Sequence, residues 1–169
     1  MQEIIGNTDI FLDKIFKSLD NLNINLDNNL LDHLCYRVST EQEYQEKKDQ
    51  LLKCSTLLIE ADVNGRPIST FKFDQPISYK SRKIELIELP SPKKNTNYTT
   101  GLEHVEFVIE EGLDKFMEKY PNIDFDKSGM SKGLNPELRV SLADNLSVKF
   151  HPISLEKVIE IEKNLESQN

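Results

Sequence analysis

The chain has 169 residues, near the size of one domain, so a single compact unit spanning 1–169 is expected. Hydrophobic residues make up 37% and charged residues 30%, and no apolar run approaches the ~18 residues of a membrane span. A net charge of −8 and a pI near 5.0, with no basic run interleaved with aromatics, argue against nucleic acid as a partner.

In chain order, the start from Met1 to Asn7 lacks a basic region followed by a long apolar one, so a cytoplasmic location is expected. Phe11, Leu12, Ile15, Phe16, Leu19 and Leu22 then recur at helical spacing, predicting an amphipathic helix over 8–22 capped by Thr8 or Asp9. The Asn- and Asp-rich stretch 21–29 breaks that period and reads as a loop. Asp32-His33-Leu34-Cys35-Tyr36-Arg37-Val38 alternates, with His33, Cys35 and Arg37 on one face of a strand and Leu34, Tyr36 and Val38 on the other. Cys35 and Cys54 are too few for a disulfide framework and read as reduced thiols, Cys35 as a small buried hydrophobe.

Thr40-Glu41-Gln42-Glu43 has the form of a capping box and opens a helix to about Lys53, with a thin apolar face of Tyr44, Leu51 and Leu52. A strand over 55–63, a turn at Asn64-Gly65 and a strand over 68–73 form a hairpin. After a loop containing Pro76, a strand over 83–89 is closed by Pro90 and Pro92. This first module, 32–90, is β-α-β-β-β, and 93–100 reads as a linker. The order recurs over 101–152: a strand over 102–109, a helix over 112–120, a short strand near 123–125, and strands over 137–143 and 146–151. A final helix over 154–166 carries a narrow stripe of Leu155, Val158, Ile161 or Glu162, and Leu165. The fold class is therefore α+β, with two paired modules and extra N- and C-terminal helices. His33 and His104 lie 71 positions apart and the closing prolines Pro90 and Pro152 lie 62 apart, a difference that loop trimming between copies explains.

The chain holds three histidines, and each falls on a predicted strand with polar neighbours: His33, His104 and His151. Three imidazoles and a carboxylate suit zinc, iron, manganese or nickel, with Glu88 the preferred carboxylate and Glu106, one pleat beyond His104, its competitor. Arg37 either clamps a substrate carboxylate or pairs with Glu106 or Asp32 inside the sheet, and Lys149 either holds an anionic substrate or reaches solvent. Gly129-Met130-Ser131-Lys132-Gly133 fits no phosphate loop and reads as a mobile loop, so no nucleotide is expected.

Asp32-His33 with Arg37, Asn64-Gly65-Arg66-Pro67-Ile68, Phe71-Lys72, Glu88-Leu89-Pro90, Glu103-His104 with Glu106, Asn135-Pro136 and Lys149-Phe150-His151-Pro152 together resemble the YecM family of the vicinal oxygen chelate superfamily. That superfamily includes glyoxalases and extradiol dioxygenases. The resemblance implies a mixed sheet curled around a cleft, in which a divalent metal chelates neighbouring substrate oxygens as a Lewis acid. It implies an isomerase, lyase or oxygenase acting on a small oxygen-rich molecule. His33, Glu88, His104 and His151 are then the metal ligands, Glu106 and Arg37 the catalytic candidates, and Arg66, Lys72 and Lys149 the substrate-binding cations. One departure stands out: many superfamily members place a glutamate in the last strand where this chain has Lys149. His151 on the same face replaces that ligand, or the cleft is a non-catalytic module binding a small anion.

Overall fold

A computed structural model of the chain describes residues 1–63, 65–94, 96 and 99–167. Asn64 of the expected hairpin turn, and Asn95, Asn97 and Tyr98 of the expected linker, lie outside the described residues. The elements run α1 (Gln2–Ile5), α2 (Thr8–Asn21), β1 (Leu31–Arg37), α3 (Glu41–Leu51), β2 (Ser55–Asp62), β3 (Pro67–Tyr79) and β4 (Arg82–Pro90), then β5 (Gly101–Val108), α4 (Leu113–Lys119), β6 (Leu138–Ser141), β7 (Ser147–His151) and α5 (Leu155–Glu166). The fold is α+β with mixed strand pairing. The cap of α2 is Asn7, whose side chain accepts the Ile10 N–H at 3.1 Å, rather than Thr8 or Asp9, because those two residues already form the first turn of the helix.

The chain divides into two compact units, residues 1–13 with 33–104, and residues 14–32 with 105–169. In the first unit the strand order is β2-β3-β4-β1-β5, counting β1 from His33 and β5 up to His104. β1 runs parallel to β4, with Cys35 beside Glu88, while β4 runs antiparallel to β3, with Glu88 beside Thr70. These cross-strand neighbours share one face, opposite the fully buried Leu34 and Ile87. Gly65, at φ 79, turns the hairpin between β2 and β3 and donates its N–H to the Asp62 side chain at 2.9 Å.

Pro76 does not lie in a loop. β3 continues through it to Tyr79, and the ladder to β4 slips between Lys72 and Ile77. Beyond Phe73 no β2 residue pairs with β3, so a proline without an N–H is tolerated in a strand whose register is already broken.

The capping box forms as expected. Thr40 accepts the Glu43 N–H at 3.1 Å, and the Glu43 carboxylate reaches back to the N–H of Ser39 at 2.8 Å. Tyr44 and Leu51 bury the inner face of α3, whereas Leu52 is exposed because the helix ends before it. The Tyr44 hydroxyl and the Ser69 hydroxyl each bond the Glu60 carboxylate at 2.7 Å, and Lys48 completes the set. The hydrogen bond from Lys48, joined by those from Ser69 and Tyr44, outweighs partial desolvation and lowers Glu60 to about 2 from an ordinary value of 4.5.

In the second unit the order is β1-β5-β7-β6, with Leu31 and Asp32 from β1 and β5 from Val105. β6 and β7 pair antiparallel, with Arg139 beside Lys149. The short strand expected over 123–125 is instead a single bridge between Asp126 and Arg139. Phe125 turns inward rather than along a ladder, joining Phe116 and Phe150 with ring centroids 5.8 and 6.1 Å away. Phe116 and Phe150 meet with ring centroids 4.7 Å apart and planes tilted by 43°. The expected mobile loop at 129–133 opens instead on a 3-10 turn over Ser128–Ser131. Gly129 lies so close to Glu137 that a Cβ there would meet its Cγ at 2.2 Å, a packing that requires glycine. In α5, Val158 and Ile159 are buried while Leu165 is exposed, so the stripe packs only along the first half of the helix.

Two predictions follow from this packing. Phe116→Ala should destabilise the protein by ~3–5 kcal/mol, read as a lower midpoint in chemical denaturation at an unchanged slope. Glu60 is depressed in the folded state, so the stability it contributes is present above its unfolded value near 4.5 and is lost as pH falls toward about 2. Acid titration of stability should therefore be flatter for Glu60→Gln than for the wild type within that window.

Candidate functional site

A histidine buried on a strand must be given hydrogen-bonding or charged partners, because desolvating an imidazole with none is costly. His33, His104 and His151 are each at most 2% exposed. Their surroundings differ between the two units.

In the first unit the parallel register of β1 and β4 sets the Cys35 thiol beside the Glu88 carboxylate. His104 on β5 completes a group in which one ligand atom of each residue lies within 4.8 Å of the others. His33, two residues before Cys35 and on its face, brings Nε2 to 3.8 Å from Glu88 Oε2. Sulfur, imidazole nitrogen and carboxylate oxygen are donors for borderline divalent metals. Ligands bound at ~2.0–2.3 Å from one ion sit within a few ångströms of each other, as these do. The residues present therefore fit a metal ion. Cys35, read from sequence as a small buried hydrophobe, is buried as that reading expects, yet its thiol is one of the three groups brought together here.

Glu103 supports this group from behind. It accepts from Arg37, and its Oε1 lies 3.6 Å from His104 Nδ1. Burial pushes the Glu103 carboxyl up, but the His104 hydrogen bond and the Arg37 charge outweigh it and hold the group down to about 2. Glu103 is thus an ionised carboxylate at neutral pH that orients both an imidazole and a guanidinium. Arg37 meets this carboxylate, where the sequence pointed to Glu106 or Asp32. Arg66 donates to the Ser91 carbonyl at 2.8 Å, and Lys72 meets Glu85 at 3.2 Å, with side chains 38% and 48% exposed.

The second unit holds an array of alternating charge. Lys149 Nζ lies 2.9 Å from Glu106 Oε1 and 3.7 Å from Glu137 Oε2. His151 Nε2 lies 3.6 Å from both Glu106 Oε2 and Asp32 Oδ2, and Asp32 in turn accepts the Leu155 N–H at the start of α5 at 2.9 Å. His151 Nδ1 is 2.6 Å from the Ile153 carbonyl, which only accepts, so that nitrogen carries a proton and Nε2 is the atom turned to the carboxylates. Asn135 braces the same turn through Ile153, donating to its carbonyl at 2.8 Å and accepting its N–H at 3.2 Å. The roles of Asp32 and Glu103 escape sequence reasoning, although both stand in the acid-His dipeptides that draw attention to the strands. No helix among the described residues is long and apolar enough to cross a membrane.

The chain matches the family model described as "YecM protein" over residues 1–128. It is 28% identical to an uncharacterized protein of Haemophilus influenzae, over 92% of this chain and 91% of that one. It is 27% identical to Protein YecM of Escherichia coli K12, over 97% of this chain and 95% of that one. Among solved structures, the structural-genomics protein EC4020 superposes with a TM-score of 0.80 at 26% identity, covering 95% of this chain and 92% of that one. A methylmalonyl-CoA epimerase of Streptomyces coelicolor, in complex with 2-nitronate-propionyl-CoA, gives a TM-score of 0.51 at 9% identity, covering 72% and 92%. That second likeness carries the fold alone, which is glyoxalase-like. With most of its length matched by the family model and relatives aligned nearly end to end, the chain belongs to the YecM family.

Proposed function

We propose that this protein binds a divalent metal ion through His33, Glu88 and His104, with Cys35 as a further donor, and acts on a small oxygen-rich molecule as an isomerase, lyase or oxygenase. The observation that carries the reading is the convergence of Cys35, Glu88 and His104, three chemically different donors on three strands, within 4.8 Å of one another. A thiolate and an imidazole favour zinc or iron(II) over manganese. A bound ion of this kind acts as a Lewis acid on substrate carbonyl, enol or diol oxygens. Glu103 positions His104, and Arg37 holds Glu103 in its ionised form. His151, the fourth ligand of the sequence reading, has Asp32 and Glu106 as its partners.

Of the three candidate cations, Lys149 is the best anchor for an anion. Its side chain is 15% exposed, so an anion paired with it is little screened, whereas Lys72 pairs with Glu85 where water weakens the contact. Lys149 also favours a second reading, a non-catalytic module for a small anion.

Calorimetric titration of protein purified without a histidine tag, with zinc, iron(II), manganese and nickel, tests the metal. His104→Ala should weaken binding by at least the ~10- to 100-fold that loss of an outer partner costs. Affinity should also fall as pH drops through the ordinary imidazole range near ~6.5, because each ligand must lose its proton before coordinating. Equal, weak binding by both proteins at every pH would reject the metal site.

A further inference from the structure

The array around Lys149 contains a contact that is too long for the groups it joins. A charge-assisted N–H···O bond spans ~2.7–2.9 Å. The Lys149 ammonium makes such a bond to Glu106 at 2.9 Å, but Glu137 stands off at 3.7 Å. Glu137 is not placed by Lys149. Its stem is packed against Gly129, its N–H is given to the Gly129 carbonyl at 3.1 Å, and its carboxylate has another counterion in Lys132 at 2.6 Å. Lys132 is half exposed, while Glu137 and Lys149 are mostly buried. A carboxylate therefore sits next to an inner lysine without bonding it directly, and it keeps an outer lysine as partner if it is moved aside.

We propose that the face of Lys149 turned to Glu137 is the binding position for the carboxylate of a small organic acid, and that Glu137 is a built-in competitor standing at its edge. An incoming carboxylate at direct hydrogen-bond distance replaces a 3.7 Å contact with one typical of an ammonium–carboxylate pair. Glu137 swings toward Lys132, so no charge is left buried without a counterion. Glu106 stays on Lys149 and keeps the ammonium pointed, which makes Glu106 a positioning residue for the anion. The inference rests on the Lys149 anchor proposed above and does not require the metal.

Titration with malonate, followed by calorimetry at constant ionic strength with chloride as the control anion, tests this on the protein as purified. Glu137→Gln removes the competitor's charge from an edge position and should tighten malonate binding by about threefold or more, since no second carboxylate then competes for that face of the ammonium. Lys149→Met should abolish binding, and Lys132→Met should weaken it by leaving Glu137 with Lys149 alone. Glu137→Gln binding malonate no more tightly than wild type overturns the proposal, even if Lys149→Met fails to fold. His104→Ala should keep malonate binding, which separates this inference from the metal reading; loss of malonate binding there would assign the anion to the metal centre instead and overturn the proposal.

Discussion

The condition on which this structure depends is that a buried ionisable side chain must meet its complement within the fold. Three imidazoles, each with almost no contact with water, sit on β1, β5 and β7. Each is met by a carboxylate: Glu88 beside His33, Glu103 beside His104, and Asp32 with Glu106 beside His151. The carboxylates are in turn answered, Glu103 by Arg37 and Glu106 by Lys149. Removing one member strands its partner in a low-dielectric interior, which costs several times what a surface pair is worth. That cost explains why these polar groups occur in linked sets and why the strands carrying them alternate so strictly with Leu34, Tyr36, Val105 and Phe107.

That alternation is also why much of the fold is legible in the sequence. Period-2 patterning over 32–38 and 102–109 marks two strands whose apolar and polar faces the structure reproduces, and the Thr40/Glu43 pair marks a helix start to the residue. The failures share a cause. Local chemistry alone predicts a loop at Pro76 and a short strand over 123–125, but the outcome at both is set by pairing with distant chain. β3 absorbs Pro76 because its ladder had already slipped, and Phe125 leaves a ladder because Phe116 and Phe150 offer it a packed site. Leu52 and Leu165 extend an apolar period that the helix or its contact surface does not follow, and both end in solvent.

The candidate site divides in the same way. Residue type and face are local properties, so the histidines, Glu88 and Lys149 can be named from sequence. Who touches whom depends on register. Cys35 and Glu88 become neighbours only because β1 and β4 are parallel with one particular offset, which no spacing along the chain encodes. A thiol that reads as filler comes to lie beside Glu88 and His104 for this reason. Glu103 shows the complementary effect: on an ideal strand it faces away from His104, yet as the third residue of β5 its side chain still reaches both its neighbour and Arg37.

Likeness to an epimerase at 9% identity fixes the scaffold and is silent on chemistry, because a scaffold of this kind accepts different side chains at the same positions. The chemistry has to come from which charges the fold leaves buried. A glutamate on the last strand would add a negative charge beside Glu106 and Asp32, and the set would then need a cation from outside. Lys149 brings that positive charge in the sequence itself, directly on Glu106. The carboxylates of the second unit are thereby balanced in part by the chain, while the Cys35, Glu88 and His104 group of the first unit keeps the mixed sulfur, oxygen and nitrogen donors that a transition-metal ion prefers. A lysine in this position therefore does not weigh against a metal in the first unit. It gives Glu106 a counterion from within the chain, so that carboxylate needs no cation from outside.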